Sequence, residues 1–471
     1  EFNGYLKWGC KSSATITRSG DLLGRAWFMW QLGPIKYRGN DTGNPDEVFN
    51  YPHFFARFTN SIGHAGIEEA ELNIGGSNID CHSGIFMDIW DEVSNTDEHA
   101  LGEIIGKYDS DAELAHAARK TQNILTPFVF FHNKFYENYL PIIGLQFHDV
   151  KYCIKLKPLE ELTVYGGDLD VNGHTLANAS NVFFPKEVCN PCILTQFVYL
   201  ERGERRFFAK THMEWLIDQV QRMCTDKKME DQCKDLRLDF NHAVIELFII
   251  ARQAGYNVKG INDLLNYSGP VEPHTRQHVD PFTQIQLKLN NHERTNFCVP
   301  IIFMRHEMPR MYHTRIPHKH IYNYSFALYP ECNYPSGSCN FSHIDNATLK
   351  FLFPSIDPDT NNCVRWEGNI DVFARNWNIF KIAAGMGAQV TATNTPSTGE
   401  TSGYANVKGV TAKSATIGVA SVGVAGRGGR KPAFSLTPKA ADALPDVRAK
   451  LNEAAALLPK AVRIRLYDRL T

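Results

Sequence analysis

Short segments in which apolar and polar residues alternate recur along most of the chain. Clear examples are residues 70–74, 236–240, 285–289, 322–328 and 349–353. A period of two is typical of a β-strand with one buried face. Residues 244–251 instead form an almost continuous apolar run with the length of a fully buried strand. Two successive sets of short strands with turn signals between them predict two β-sandwiches in tandem.

The remaining patterns add further strands and a few helices. More strands are predicted at residues 13–16, 22–31, 128–131, 142–147, 151–157, 197–200 and 372–382. Helical spacing of apolar residues over 85–93 predicts a short amphipathic helix, with Asp88, Asp91 and Glu92 on its outer side. Similar spacing predicts a longer helix over 205–223, and the polar stretch after it suits a linker.

These patterns divide the chain of 471 residues into four parts. We predict a first sandwich at 1–204, a helix and linker at 205–232, a second sandwich at 233–387 and a C-terminal extension at 388–471. Residues 164–190 and 257–280 are predicted to be exposed loops. The extension is rich in small residues and carries twelve Lys and Arg against five Asp and Glu, whereas the whole chain has a formal charge of −2. A basic tail on an acidic body indicates an anionic partner for the tail, either a membrane surface or nucleic acid.

Composition excludes several classes of protein. Apolar residues make up 43% and charged residues 21% of the chain, as in ordinary globular proteins. Eleven cysteines in a chain of this length do not resemble the disulfide framework of a small secreted domain. No apolar run reaches 18 residues, so we expect no transmembrane helix. The first residues lack the charged and apolar regions of a signal peptide, so none is expected.

Motifs for catalysis are absent from the sequence. The chain has no phosphate-binding G-x-x-x-x-G-K-[ST] loop, no G-x-S-x-G nucleophile elbow and no H-E-x-x-H metal motif. We therefore predict no catalytic residue, no cofactor and no enzymatic activity.

A few residues could nevertheless be metal ligands. Cys189 and Cys192 form the one C-x-x-C motif, but no second ligand pair follows at zinc-finger spacing. The pair His274 and His278 lies between prolines, and the loop with His306 and His313 also contains an H-x-H motif. This motif, His318 and His320, is similar to the metal motif of cupins, but no carboxylate follows it closely. We predict no metal site, and keep a cupin-like or carbohydrate-binding protein as the alternative function.

The most distinctive segment is residues 322–353, which read YNYSFALYPECNYPSGSCNFSHIDNATLKFLF. It resembles the Y-x-Y-S-F-A-L-x-P and P-S-G-x-C-N-F-S-x-I-D-N-A-T-L signature of the major capsid proteins of nucleocytoplasmic large DNA viruses. His343 stands where this family often has Arg. From its alternation we predict a hairpin of the second sandwich, in which Tyr322, Tyr324, Phe326 and Leu328 are buried.

Further segments similar to this family occur in the same order along residues 1–387. They are TITRSGDL (15–22), NSIGHA (60–65), IGG (74–76), IWDE (89–92), LPIIGLQFH (140–148), ERRF (204–207), FNH (240–242) and the strand pattern ending in GMG (372–387). The extension from residue 388 is not part of the family's usual pattern.

The resemblance implies an all-β fold of two tandem eight-stranded antiparallel jelly rolls, with short helices in the connections and a C-terminal tail. It implies a structural subunit of an icosahedral capsid that forms pseudo-hexagonal homotrimers. Its expected partners are neighbouring capsomers and minor capsid and penton proteins, and its expected location is the virion, after assembly in the host cytoplasm.

Overall fold

The computed structural model describes residues 2–37, 54–167, 182–228, 231–253, 264–269, 279–295, 299–354, 367–383 and 385–389. The predicted loops at 164–190 and 257–280 lie mostly outside these residues, as does the extension after residue 389. Within the described ranges, no helix is long and apolar enough to cross a membrane.

Strands account for most of the described secondary structure. Before residue 200 they are β1 (Lys11–Thr15), β2 (Leu22–Leu32), β3 (Lys36–Tyr37), β4 (Phe54–Phe58), β5 (Ile67–Ile74), β6 (Ser77–His82), β7 (Gln122–Pro127), β8 (Leu140–Pro141), β9 (Val150–Leu156), β10 (Thr163–Gly167), β11 (Val182–Phe183) and β12 (Cys189–Val198). After it they are β13 (Met213–Lys227), β14 (Cys233–Arg237), β15 (Ala243–Gln253), β16 (Gln284–Leu289), β17 (His292–Glu293), β18 (Tyr322–Ser325), β19 (Cys339–Asn340), β20 (Ala347–Leu352), β21 (Gly368–Ala383) and β22 (Met386–Gln389).

Short helices lie in the connections, as the all-β prediction requires. They are α1 (Ile62–Ala65), α2 (Gly84–Ser94), α3 (Asp111–Ala117), α4 (Phe131–Lys134), α5 (Arg202–Lys210) and α6 (Met308–Tyr312). Helix α2 confirms the helix expected over 85–93. Its N-cap residue is Ser83, whose Oγ accepts a hydrogen bond from the backbone N–H of Phe86 at 3.3 Å.

The first sandwich consists of two main antiparallel sheets. One has the strand order β1-β9-β5-β6, and the other has the order β12-β2-β7 with β8 beside β2. Alternate residues of β5 and β9 point into the core, where Leu72, Tyr152 and Ile154 are almost fully buried. Trp30 and Phe28 of β2 stack on each other in the same core, with ring centroids 5.9 Å apart.

The second sandwich repeats this arrangement. Its outer sheet has the order β14-β20-β16-β17, and its other sheet, which we call the middle sheet, has the order β13-β21-β15-β18. Alternation along β20 is strict and buries Leu349 and Phe351, as predicted. These side chains share a core with Leu287 of β16 and with one face of β15.

The middle sheet is buried on both faces. Along β15, Leu247 and Ile249 belong to the core of the second sandwich, whereas Phe248 and Ile250 pack with the core of the first. A strand that is covered on both sides has no solvent face to make polar. This explains the continuous apolar run at residues 244–251.

The helix predicted over 205–223 is wrong beyond its first residues. Helix α5 ends at Lys210, and β13 begins at Met213 and pairs with β21 along all of its fifteen residues. This ladder bonds one edge of β13 to β21 along its whole length, and Ile217 is buried in the interface between the sandwiches. Residues 213–227 are therefore part of the second sandwich and not of a linker. The other domain limits stay predictions.

Two predicted strands of the first sandwich are also wrong. Within residues 128–131 no strand forms, and α4 begins at Phe131. Residues 142–147 contain a 3₁₀ turn at Ile142–Gly144. Apolar content alone suggested strands there. The two segments are instead connections whose apolar side chains, for example Phe130 and Leu145, are buried against the core.

The segment 322–353 is not a hairpin. Strand β18 pairs with β15 of the middle sheet, whereas β20 pairs with β14 and β16 of the outer sheet. Strand β18 ends early because the Ser325 hydroxyl bonds to the backbone of Ala327 and turns the chain. Tyr322 is buried as predicted, but the side chain of Leu328 is 62% exposed.

Candidate functional site

Charged side chains are buried where α2 of the first sandwich packs on the middle sheet. The ring of Phe86 anchors this contact, with its centroid 5.9 Å from that of Phe373 and 6.5 Å from that of Phe248. Around this apolar contact lie two groups of buried charges, which we call the Asp88 group and the Glu246 group after their central carboxylates.

The acidic residues of α2 are not on its outer side, contrary to the prediction. Asp88, Asp91 and Glu92 are each at most 2% exposed. A charge this deep in a protein is retained only when it is paired, because burial removes its hydration. The sequence carries no signal for this burial, because the three acidic residues share one side of an amphipathic helix, as they would on a helix at the protein surface.

The Asp88 group joins α2 to the segment before β18. The Asp88 carboxylate accepts hydrogen bonds from Lys319 Nζ at 2.6 and 2.7 Å and from the Tyr267 hydroxyl at 2.8 Å. His64 Nδ1 lies 4.0 Å away. Burial by itself would raise the pKa of Asp88, but Lys319 and His64 hold it well below its usual range. The carboxylate is therefore ionised.

One turn further along α2, Glu92 forms a second set of polar contacts between this helix and the rest of the protein. Its carboxylate accepts a hydrogen bond from Lys107 Nζ at 2.7 Å. Arg315 Nε donates to the backbone carbonyl of Glu92 at 2.8 Å, and Arg315 also forms an ion pair with the exposed Asp97 at 3.0 Å. One arginine of the second sandwich thus holds the last turn of α2.

The Glu246 group lies on the middle sheet itself. The Glu246 carboxylate contacts Arg375 Nη1 at 3.0 Å and His313 Nε2 at 2.9 Å, and Nδ1 of the same imidazole contacts Glu331 at 2.9 Å. Burial would lower the pKa of His313, but Glu246 and Glu331 raise it to about 9. His313 is thus a buried imidazolium between two carboxylates.

Two cations that share one aromatic ring link this group to the first sandwich. Lys134 Nζ and the Arg375 guanidinium both lie over the ring of Trp90 on α2, at 4.4 and 4.7 Å from its centroid. Lys134 of α4 also pairs with the buried Asp218 of β13. Burial lowers the pKa of Lys134, and Asp218 opposes this effect.

The junction holds the two sandwiches in one orientation. Each buried carboxylate described above has a cationic partner, including Asp91, which lies 3.6 Å from Lys107 Nζ. Such pairs add little net stability over apolar packing, but removing one partner leaves a buried unpaired charge. The chemistry of the junction is therefore mutual charge compensation across a fixed contact.

The residues considered as metal ligands do not come together. The side chain of His318 is 74% exposed and lies 3.6 Å from Asp97, whereas His320 is turned towards Asp280 at 3.7 Å. Cys189 and Cys192 are free thiols on β12. His274 and His278 lie outside the described residues. Within the described part of the chain, no group of three His, Cys, Asp or Glu side chains could hold a metal ion.

Comparisons with known proteins agree along both sandwiches. Residues 1–200 match the family model "Major capsid protein N-terminus", and residues 204–388 match "Large eukaryotic DNA virus major capsid protein". The chain is 27% identical over 412 residues to the major capsid protein of Pyramimonas orientalis virus, covering 82% of this chain and 87% of that protein.

Solved structures show the same fold. A quasi-atomic model of the PBCV-1 virus capsid matches with a TM-score of 0.62 and 22% identity, covering 83% of this chain and 95% of that one. The Faustovirus major capsid protein matches with a TM-score of 0.63 and 10% identity, covering 81% and 89%. The double jelly-roll fold predicted from the sequence is confirmed.

Proposed function

Because the chain belongs to the major capsid protein family of large eukaryotic DNA viruses, we propose that it is a structural subunit of an icosahedral viral capsid and forms homotrimeric capsomers. The observation that supports a trimer is the presence of two similar sandwiches in one chain. The buried charges of the junction hold these sandwiches side by side. Three copies place six similar domains in a ring, which gives a pseudo-hexagonal outline that can tile a shell.

An exposed aromatic surface supports contact between copies. Two neighbouring loops, joined by a hydrogen bond of 2.7 Å from Asn138 Nδ2 to Asn333 Oδ1, carry large exposed apolar side chains. These side chains are Tyr136 at 75%, Leu328 at 62%, Tyr329 at 59% and Tyr334 at 55% exposure. Clustered exposed apolar residues are typical of protein interfaces, and we propose a second copy of this chain as the occupant.

The mass of the purified full chain in solution tests this proposal. Light scattering after gel filtration should give about 160 kDa, three times the 53.2 kDa of one chain, and electron micrographs should show particles of hexagonal outline. A stable monomer at micromolar concentration would contradict the proposed capsomer.

The wider setting of this subunit follows from its family. We propose that neighbouring capsomers and minor capsid and penton proteins bind the outer edges of the trimer, that assembly takes place in the host cytoplasm, and that the role is mechanical and not enzymatic. The excess of Lys and Arg in residues 388–471 supports contact of this extension with an anionic surface, either an inner membrane or nucleic acid.

Deletion of residues 390–471 tests the proposal for the extension. The truncated chain should still form trimers but should lose binding to vesicles with anionic lipids or to DNA at low salt. If it binds both as well as the full chain does, the extension has no such role.

A further inference from the structure

A second feature of the junction is a pocket of about 420 Å³ that is lined by several cationic side chains. Its wall combines the end of β9 and the start of α2 with two residues of the middle sheet. We call it the junction pocket.

Four cationic side chains line the junction pocket. Lys155 and Lys157 come from the first sandwich, and Arg222 and Arg252 come from β13 and β15 of the second. Glu68 and Glu161 also line it, and Glu68 is paired with Lys155 at 2.8 Å. Positive charge therefore exceeds negative charge in the wall of the pocket.

The two arginines share a single carboxylate behind the wall. Arg222 contacts Asp371 Oδ1 at 2.7 Å and Arg252 contacts Oδ2 at 2.7 Å, and the Asp371 side chain is fully buried. A guanidinium has five N–H donors in a planar fork, so each arginine keeps donors that Asp371 does not use. The Asp371 carboxylate therefore holds both guanidinium groups in fixed positions at the pocket.

Lys157 is the cation of this set without a close carboxylate. Among the described residues it forms no ion pair within 4 Å, although Glu161 and Glu68 exert a weaker attraction at longer range. Burial, together with the positive charges of Arg252 and Arg222, lowers the pKa of Lys157 to about 8. This environment is costly for the ammonium group unless an anion occupies the pocket.

The start of α2 adds neutral donors to the same wall. Ser83, Gly84 and Ile85 line the pocket, and Gly84 and Ile85 are the first two residues of the helix. The backbone N–H groups of a first helical turn have no partner within the helix and favour bound anions, phosphate groups in particular.

We propose that the junction pocket binds a small anion with two or more phosphate groups, held by Lys157, Arg222 and Arg252. Planar guanidinium forks and helix N-termini both match the oxygens of a phosphate group better than a point charge does. Since the ligand contacts both sandwiches, its binding stabilises their junction. The proposal is independent of how the subunits assemble.

Calorimetric titration of the purified full chain at low ionic strength tests this site, with inorganic tripolyphosphate and inorganic phosphate as probes. We expect one tripolyphosphate per chain and at least tenfold weaker binding of phosphate. Lys157→Met should weaken tripolyphosphate binding at least tenfold, and Lys157→Arg should retain most of it. Lys151→Met is the matched control, because Lys151 is an exposed lysine of β9, the strand that ends just before Lys157, and it lies outside the pocket.

Thermal unfolding separates loss of binding from loss of folding. Without ligand, Lys157→Met should unfold at the same temperature as the unchanged protein or higher, because it removes a repelled cation. With tripolyphosphate, the unchanged protein should gain more in melting temperature than this variant. Absence of tripolyphosphate binding, equal affinity for phosphate, or an equal loss in Lys151→Met would each overturn the proposal.

Discussion

At the scale of single residues, the side chains that we expect to be most sensitive to substitution are the buried charges in the junction between the sandwiches. Asp88 and Glu246 are fully buried carboxylates, each contacted by more than one donor. Their partners come from segments far away in the sequence. Single substitutions should therefore distinguish these buried charges from similar charges at the surface.

Replacement of Asp88 should be strongly destabilising. Asp88→Ala leaves the partly buried Lys319 ammonium and the buried Tyr267 hydroxyl without their acceptor, and loss of one partner in a buried pair costs about 3–5 kcal/mol. Chemical unfolding of the purified variant measures this loss. Asp97→Ala is the control, since Asp97 is exposed and pairs with the same segment, and it should change the free energy of unfolding little.

The raised pKa of His313 predicts a dependence of stability on pH. The folded pKa of about 9 lies above the ordinary value of 6.5, so protonation stabilises the folded state fully below pH 6.5 and this contribution is lost as the pH rises through 9. At 1.36 kcal/mol per unit, it amounts to about 3 kcal/mol.

Comparison with a variant isolates this contribution from other titrating groups. The melting temperature of His313→Gln should lie well below that of the unchanged protein at pH 6, and the gap should narrow at pH 9.5. A gap of the same size at both pH values would show that His313 does not titrate in this range.

At the scale of elements, the position of α2 depends on a close approach of backbones at its first residue. A Cβ atom on Gly84 would meet the carbonyl oxygens of His64 and Ile67, the latter at 2.6 Å. Backbone atoms cannot move aside as a flexible side chain can. Helix α2 can therefore reach the middle sheet only with glycine at this position.

Substitution of this glycine tests the docking of α2. Gly84→Ala should destabilise the protein by about 1–3 kcal/mol or more, because the helix must shift away from α1 and β5. Gly203→Ala is the matched control in α5, where an added Cβ meets no atom within 4 Å and a helical alanine is favourable. Thermal unfolding of both variants should show a loss for the first and none for the second.

At the scale of the whole molecule, the exposed aromatic surface should control assembly. Leu328→Lys places a charge among Tyr136, Tyr329 and Tyr334, where a second copy is proposed to bind. We expect the mass in solution to fall from about 160 kDa towards the 53.2 kDa of a single chain. Since Leu328 is exposed, the melting temperature of the isolated subunit should change little.

The control for assembly is another exposed apolar residue away from these two loops. Tyr5 is 90% exposed, and Tyr5→Lys should leave the mass in solution unchanged. If both lysine variants remain trimers, the exposed aromatic surface is not the contact between copies.

The sequence by itself determined the fold class, the number of sandwiches and the family. Alternation with a period of two depends on which residues face a core, so it identified β5, β16 and β20 without knowledge of their partners. The signature at residues 322–353 identified the family, although its interpretation as a hairpin was wrong.

Only the tertiary structure decided what the junction contains. The spacing of Asp88, Asp91 and Glu92 on α2 is the same whether these side chains face water or Lys319, Arg315 and Lys107. Residues 213–223 have a spacing compatible with a helix, and pairing with β21 makes them a strand. Lys319, Arg315 and the residues of β21 all lie more than a hundred residues from their partners in the sequence, and local periodicity carries no information about such contacts.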